Sequence, residues 1–271
     1  IYYSNLVVSC LYLLSKKVFD YIPPGTKINL GNQVFPQMFE DGCRMHAYLT
    51  PEYLKDMGTP QRLERVRMDY DAGRISEMNL GNKRQAVFLD RDGVLVKKKD
   101  FLRDPKGLEL IDGAAEAVKK INDAGYLAIM VTNQPVVARG DCSMEDVREI
   151  HRKLDTLLGK EGAKLDATYF CPHHPDKGFE GERRELKYDC ECRKPATGMI
   201  DEAAGKYNID LKKSHIIGDS TADMESGRRA GLTTVGVKTG NGLRDGKYDV
   251  KPDIVCESVL EAAAKITQQR S

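Results

Sequence analysis

The chain has 271 residues, 41% hydrophobic and 31% charged, with a formal net charge of +1. That length allows one large or two modest domains with a sizeable core. The near-neutral balance excludes a global field that would recruit nucleic acid or a membrane surface.

In chain order, the apolar run Leu6 to Leu14 is too short to span a membrane. It lacks the flanks of a signal peptide and reads as a buried strand. The chain opens on Ile1 rather than Met, as a fragment of a longer protein would. Ser15 is placed to cap a short helix from Lys16 to Tyr21, which Pro23-Pro24 stops. Val34 to Glu40 reads as a second short helix, Met45 to Leu49 as a strand, and Gln61 to Ala72 as a helix after Pro60. The pieces Ser15-Lys-Lys-Val-Phe-Asp-Tyr-Ile22, Val34-Phe-Pro-Gln-Met38 and Lys55-Asp-Met-Gly-Thr-Pro60 resemble the C-terminal part of sugar-phosphate nucleotidylyltransferases. That resemblance makes Asp56 the counterpart of an aspartate that helps bind a divalent metal. The family's Gly-rich nucleotide-binding start does not occur here, so Asp56 is expected to be inert. Residues 76 to 85 are polar, contain Gly81 and read as a linker.

From Ala86 onward strands and helices alternate. Ala86 to Leu89 is a wholly apolar strand of the parallel kind. It is followed by Asp90, Asp92 and Gly93, which taken alone also suit an acidic turn. Helix Ala114 to Ala124 is closed by Gly125. Strand Tyr126 to Val131 ends in Thr132-Asn133-Gln134. Ser143 and Asp146 form a capping box at the start of a helix whose apolar face is Val147, Ile150, Leu154, Leu157 and Leu158. Then come strand Asp166 to Phe170, helix Met199 to Tyr207 and strand His215 to Ile217, ending Gly218-Asp219-Ser220. Helix Thr221 to Ala230, strands Thr233 to Val237 and Asp253 to Val255, and helix Ser258 to Thr267 complete the chain. This order predicts an α/β fold, a doubly wound parallel sheet over residues 86–271, preceded by a small α+β segment over 1–75. Right-handed crossovers gather the polar strand ends on one edge.

Four groups should meet there: Asp90 and Asp92, Thr132 and Asn133, Lys194, and Asp219 with Asp223. Each has a task if the reaction is phosphoryl transfer. One carboxylate attacks phosphorus and a second carries the proton. Mg²⁺ on hard oxygen ligands and a lysine offset the phosphate charge. A hydroxyl and backbone N–H groups hold the remaining oxygens. Arg91 should point away from both acids by strand alternation, which gives it no catalytic part.

Asp90-Arg-Asp-Gly-Val94, Val131-Thr-Asn-Gln134, Arg193-Lys-Pro195 and Gly218-Asp-Ser-Thr-Ala-Asp223 resemble, in order, the four motifs of the haloacid dehalogenase superfamily of phosphatases. The resemblance implies a Rossmann-like fold of that type, with Asp90 as nucleophile and Asp92 as acid/base. Thr132 and Lys194 would bind phosphate. Asp90, the backbone carbonyl of Asp92, and Asp219 would hold Mg²⁺, with Asp223 in support.

The chain holds seven cysteines, three of them between residues 171 and 192. Cys171-Pro-His-His174 and Cys190-Glu-Cys192 suit a tetrahedral structural Zn²⁺ held by Cys171, His173, Cys190 and Cys192. His174 is the rival to His173. Such a staple would order the polar loop between the pairs, and reduced thiols point to the cytoplasm. Cys10, Cys43, Cys142 and Cys256 read as buried or incidental thiols, and His151 and His215 as structural. Lys97-Lys98-Lys99 reads as a solvated face, with a contact to a distal phosphate as the sharper alternative.

The Cys-Pro-His-His…Cys-x-Cys-Arg-Lys-Pro pattern resembles the heptose-bisphosphate phosphatases, which serve bacterial surface polysaccharides, and the related histidinol-phosphatase domains. It implies a role for Arg193 in substrate recognition, where a planar guanidinium suits a second phosphate or sugar hydroxyls. Pro135-Val136-Val137 and Ala196-Thr197-Gly198 depart from the familiar Ser-Gly-Ile and Lys-Pro-Gly of that group. The expected activity is hydrolysis of the 7-phosphate of D-glycero-D-manno-heptose 1,7-bisphosphate. A histidinol-phosphate phosphatase and a nucleotidylyltransferase-related partner are the alternatives. The expected partner is a small-molecule sugar phosphate, not nucleic acid or membrane. An upstream nucleotidylyltransferase part is the expected partner of residues 1–75.

Overall fold

A computed structural model describes residues 1–3, 9, 11–99, 102–178 and 180–268. After a 3₁₀ turn at Lys16–Tyr21 and a π turn at Leu30–Val34, the helices α1 (Phe35–Glu40), α2 (Pro60–Asp71) and α3 (Arg74–Glu77) lead to β1 (Ala86–Leu89). Then follow α4 (Ala114–Asp123), β2 (Leu127–Asn133), α5 (Met144–Lys160), β3 (Ala167–Cys171), α6 (Gly198–Tyr207) and β4 (His215–Gly218). The chain ends with α7 (Thr221–Ala230), β5 (Thr233–Val237), β6 (Ile254–Cys256) and α8 (Val259–Gln268).

The six strands form one sheet in the order β3-β2-β1-β4-β5-β6, and every pairing is parallel. The central strand β1 shows why both faces are covered. Its period-2 alternation sends Val87 and Leu89 into one apolar cluster and Ala86 and Phe88 into the other. The first cluster is closed by Val118 and Ile121 of α4, Ile150, Leu154 and Leu158 of α5, and Val259 and Ile266 of α8. The second is closed by Met199, Ile200 and Ala203 of α6. The capping box at Ser143 and Asp146 is formed. Gly125 (φ 77°) turns the chain out of α4 in the left-handed region.

The strand order reverses between β1 and β4, so this is the switch point at which open α/β sheets bind ligands. Asp90 and Asp219 follow those two strands directly. The expected doubly wound parallel sheet is therefore observed, and it puts the two acids side by side.

Within residues 1–75 the expected helices form, as Lys16–Tyr21, Phe35–Glu40 and Pro60–Asp71, and the departure is in the strands. Met45 to Leu49 is not a strand: it is irregular, with Met45, Tyr48 and Leu49 exposed. Its alternation is adequate, but among the described residues no strand lies beside it to satisfy its backbone. Much of the strand expected at Leu6 to Leu14 lies outside the described residues, and Leu11 to Leu14 are irregular and exposed. Ser15 precedes its helix without a capping hydrogen bond from its side chain. Val18 and Val34 are the apolar side chains buried in the described part of this segment. Its other anchor is polar: buried Asp69 accepts a hydrogen bond from the Tyr53 hydroxyl (2.8 Å) and pairs with Arg74 at 3.1 Å. Asp56 is exposed and engaged by Arg62 and by the backbone N–H of Gly58. Within the polar stretch 76–85, Arg84 is bonded to the main body, its N–H donating to the Asn208 carbonyl at 3.0 Å.

Leu154 is fully buried between α5 and the sheet. Leu154→Ala should lower unfolding free energy by about 2–5 kcal/mol in urea titrations, the usual range for an emptied core position.

Candidate active site

The sheet edge gathers its functional side chains because each follows a strand or starts a helix. Lys194 is the centre. Its side chain is 3% exposed, and its Nζ lies 2.8 Å from Asp90 Oδ1 and 2.5 Å from Asp223 Oδ1. Nζ also donates to the Val131 carbonyl at 2.8 Å. Burial opposes the charge on Lys194, but Asp223 and Asp90 outweigh it and its pKa rises. The backbone of Lys194 is held as firmly. Asn133 accepts from its N–H and donates to its carbonyl, both at 3.0 Å. Asp223 also accepts from the N–H and hydroxyl of Ser220 (3.1 and 2.5 Å), completing a capping box at the start of α7.

Asp219 is 1% exposed. Its Oδ2 accepts from the Asn241 N–H at 2.7 Å. Two glycine backbones form the walls around that oxygen. A Cβ at Gly93 (φ +84°) would lie 2.3 Å from it, and one at Gly240 (φ +59°) 2.1 Å. Only glycine fits either position. Ligand oxygens of Asp90, Asp219 and Asp223 lie within 4.8 Å of one another. Burial, partly countered by Lys194, raises Asp90 to about 6. Burial and the neighbouring carboxylates raise Asp219 to about 7. Hard, closely spaced, under-compensated oxygens fit a divalent cation such as Mg²⁺.

Thr132 is buried at the end of β2, and its Oγ1 accepts from Gln134 Nε2 at 2.9 Å, leaving its hydrogen free to donate. Gln134 Nε2 also donates to Asp92 Oδ2 at 3.0 Å. Arg91 corrects the sequence expectation. It does not point away from the acids but folds back under them, 1% exposed. Its Nε and Nη2 each donate to Asp92 Oδ1 at 3.1 Å, and Nη2 reaches Asp92 Oδ2 at 2.8 Å. Alternation does not govern it because β1 ends at Leu89. The following turn brings the N–H groups of Leu95 and Val96 onto the Arg91 carbonyl, both at 2.9 Å. Gln134 and Asn241 also carried no assignment in the sequence, and His151 was read only as structural. Gln134 stood inside a recognised motif, whereas nothing local marked His151.

A second cluster lies beside the first. Cys171 Sγ is 3.5 Å from Cys190 Sγ and 3.6 Å from His173 Nδ1, while Cys192 Sγ is 3.3 Å from both Cys190 Sγ and His173 Nδ1. These spacings approach the edges of a tetrahedron around Zn²⁺, about 3.8 Å for two sulfurs each at about 2.3 Å from the metal. They far exceed a disulfide bond, and all four residues point into one space. Hydrogen bonding from Cys171 lowers the Cys192 thiol, while the same contact raises Cys171 and burial raises Cys190. Of the two histidines, His173 stands in the cluster, with Tyr188 Oη 2.8 Å from its Nε2. His174 turns away, and its Nδ1 accepts from the Asp176 N–H at 3.2 Å. Arg193 Nη1 donates to the His173 carbonyl at 3.1 Å, tying the cluster to the residue next to Lys194. Lys98 contacts Asn241 at the rim of the acidic group, and Lys99 pairs with Glu109 at 2.7 Å.

A carboxylate-rich switch point with a buried lysine defines, with the sheet, a hydrolase of the haloacid dehalogenase type. Residues 191–262 match the HAD-hydrolase-like family model. The chain is 38% identical over 181 residues to a D-glycero-beta-D-manno-heptose-1,7-bisphosphate 7-phosphatase of Pasteurella multocida, covering 66% of this chain and 94% of that protein. It is 40% identical over 150 residues to the enzyme of that name from Rhodopseudomonas palustris, covering 55% and 81%. Its fold matches a D,D-heptose 1,7-bisphosphate phosphatase from B. bronchiseptica, solved with magnesium and phosphate. The TM-score is 0.60 at 32% identity, over 68% of this chain and 99% of that one. The chain belongs to the family of D-glycero-D-manno-heptose-1,7-bisphosphate 7-phosphatases.

Asp219 yields a pH prediction. A carboxyl held at about 7 rather than its ordinary 3.8 keeps a proton in the folded state that the unfolded chain has released. Its contribution to stability therefore falls as pH rises between those values. In chelator-treated protein, Asp219→Asn should gain stability relative to the parent as pH is raised from about 4 to about 7.5. Urea unfolding at several pH values reads this directly, and a pH-independent difference would contradict it.

Proposed function

We propose that this chain is a Mg²⁺-dependent phosphatase that removes the 7-phosphate of D-glycero-D-manno-heptose 1,7-bisphosphate. The observation that carries the reading is Asp90 at the switch point, paired to buried Lys194 and flanked by Asp219 and Asp223. The relatives' named substrate supplies the sugar.

Asp90 attacks phosphorus through a carboxylate oxygen. The P–O bond to the sugar breaks, and the leaving alkoxide takes the proton of Asp92. Asp92, now ionised, removes a proton from water. That water attacks the aspartyl-phosphate, releasing phosphate and restoring Asp90. Lys194 offsets negative charge on the phosphoryl oxygens throughout, and the Thr132 hydroxyl donates to one of them. Asn133 acts through Lys194, whose backbone it fixes. Asp90, the carbonyl of Asp92 and Asp219 would hold Mg²⁺, which when bound neutralises the charge a phosphate dianion brings to this edge. Asp223 keeps Lys194 ionised and in place. Zn²⁺ on Cys171, His173, Cys190 and Cys192 serves as a structural staple, and Arg193 beside it reads the sugar or its second phosphate.

We assign the chemistry to residues 86–271. Among the described residues no helix is long and apolar enough to cross a membrane. The six described cysteines are free, which suits a cytoplasmic enzyme.

Asp90→Asn should bring phosphate release to background with the fold unchanged by circular dichroism. The parent should prefer heptose 1,7-bisphosphate to histidinol phosphate and need added Mg²⁺. The reverse preference would assign it to histidinol phosphate instead.

Protein purified without chelator should carry one zinc per chain by elemental analysis. Cys190→Ser should lose that zinc and melt about 10 °C lower, the equivalent of roughly 3–4 kcal/mol in a domain of this size. Zinc-free parent protein of unchanged stability would remove the staple from the account.

A further inference from the structure

Arg91 is the largest of the fully buried side chains, and the catalytic sequence above makes no use of it. A buried guanidinium is expensive, and an apolar side chain would fill the same space at lower cost. Its contacts show what the charge is used for. Its Nε and Nη2 make three hydrogen bonds of 2.8–3.1 Å to the two oxygens of Asp92. The same Nη2 donates to Gln134 Oε1 at 2.8 Å, and Gln134 returns a bond from Nε2 to Asp92 Oδ2 at 3.0 Å. Behind it, Nη1 lies 3.4 Å from Nε2 of His151, itself packed edge-on against Phe170. Burial pushes His151 down to about 3, so it is a neutral acceptor that adds no competing cation.

The result is a planar fork fixed from behind and closed at the side by an amide. Asp92 is otherwise the least restrained acid of the site: its side chain is 25% exposed, against 13% for Asp90 and 0% for Asp223. It sits in a turn after the strand has ended. A proton carrier works only when its oxygen stands within hydrogen-bond reach of the departing or arriving oxygen.

We infer that Arg91, seated on His151 and braced by Gln134, is a positioning residue that aims the Asp92 carboxyl at the leaving-group oxygen. The inference rests on the reading of Asp92 as acid/base. In the step concerned, the Asp90–phosphorus bond forms, the phosphorus–sugar oxygen bond breaks, and the Asp92 proton passes to that oxygen. An alkoxide leaving group needs this proton; a nitrophenolate does not.

The experiment compares kcat/KM for heptose 1,7-bisphosphate and for p-nitrophenyl phosphate in the parent, Arg91→Met, Arg91→Lys and Asp92→Asn. The ratio kcat/KM reports steps up to aspartyl-phosphate formation, so the later water step does not enter. Arg91→Met should lose about 10–100-fold on the sugar phosphate and less than about threefold on p-nitrophenyl phosphate, as expected for a misplaced general acid. Arg91→Lys, which offers no planar fork, should fall between Met and the parent. Should Arg91→Met fail to fold, Gln134→Met carries the test, with a smaller loss in the same sense. Equal losses on both substrates would make Arg91 a structural residue and overturn the inference. If Asp92→Asn itself shows no difference between the substrates, the acid role of Asp92 fails instead, and the two failures are thereby told apart.

Discussion

The site depends on one buried cation. Lys194 stands among Asp90, Asp223 and the Val131 carbonyl at 2.5–2.8 Å, and three pieces of chain that share no sequence neighbourhood converge on its ammonium. Without it, two carboxylates would sit close together away from water, an arrangement that costs several kcal/mol. With it, Asp90 is held just past the end of β1, and Asp223 anchors the first turn of α7. The same lysine that lets the acids be buried is the group that would meet a phosphoryl oxygen. Stability and chemistry therefore draw on one interaction.

Much of the phosphatase domain was legible in the sequence, because its elements are strongly periodic and its punctuation is chemical. β1, β4 and the helices after Gly113, Ser143 and Ser220 fall within a residue or two of expectation. Parallel topology then forces the strand ends together, so the sequence alone groups Asp90, Thr132 and Asp219. The clustering of Cys171, Cys190 and Cys192 was equally plain, but that His173 and not His174 stands with them was not, since adjacent residues differ only in the direction a turn gives them.

What was not legible follows from three physical causes. Strand alternation was extended past the end of the strand to Arg91. There the backbone has already turned, and the side chain returns beneath its neighbour. The strand expected at Met45 to Leu49 failed for another reason. A strand exists only with a partner, and the alternation of Met45 to Leu49 says nothing about whether a partner is present. His151 belongs to a third kind: on a helical wheel it is one more position of the α5 buried face, and its polar partner comes from 60 residues away.

Asn133 has a consequence for how such an enzyme can change. Its carboxamide receives the N–H and meets the carbonyl of Lys194, the pair of contacts a neighbouring strand would otherwise supply. The lysine's backbone is thus registered to β2 by a side chain, independently of the path the chain takes between residues 173 and 189. That intervening loop can lengthen, shorten or change its charges while Lys194 stays in register with Asp90. The place of the buried ammonium and the length of that loop are mechanically uncoupled at this one amide.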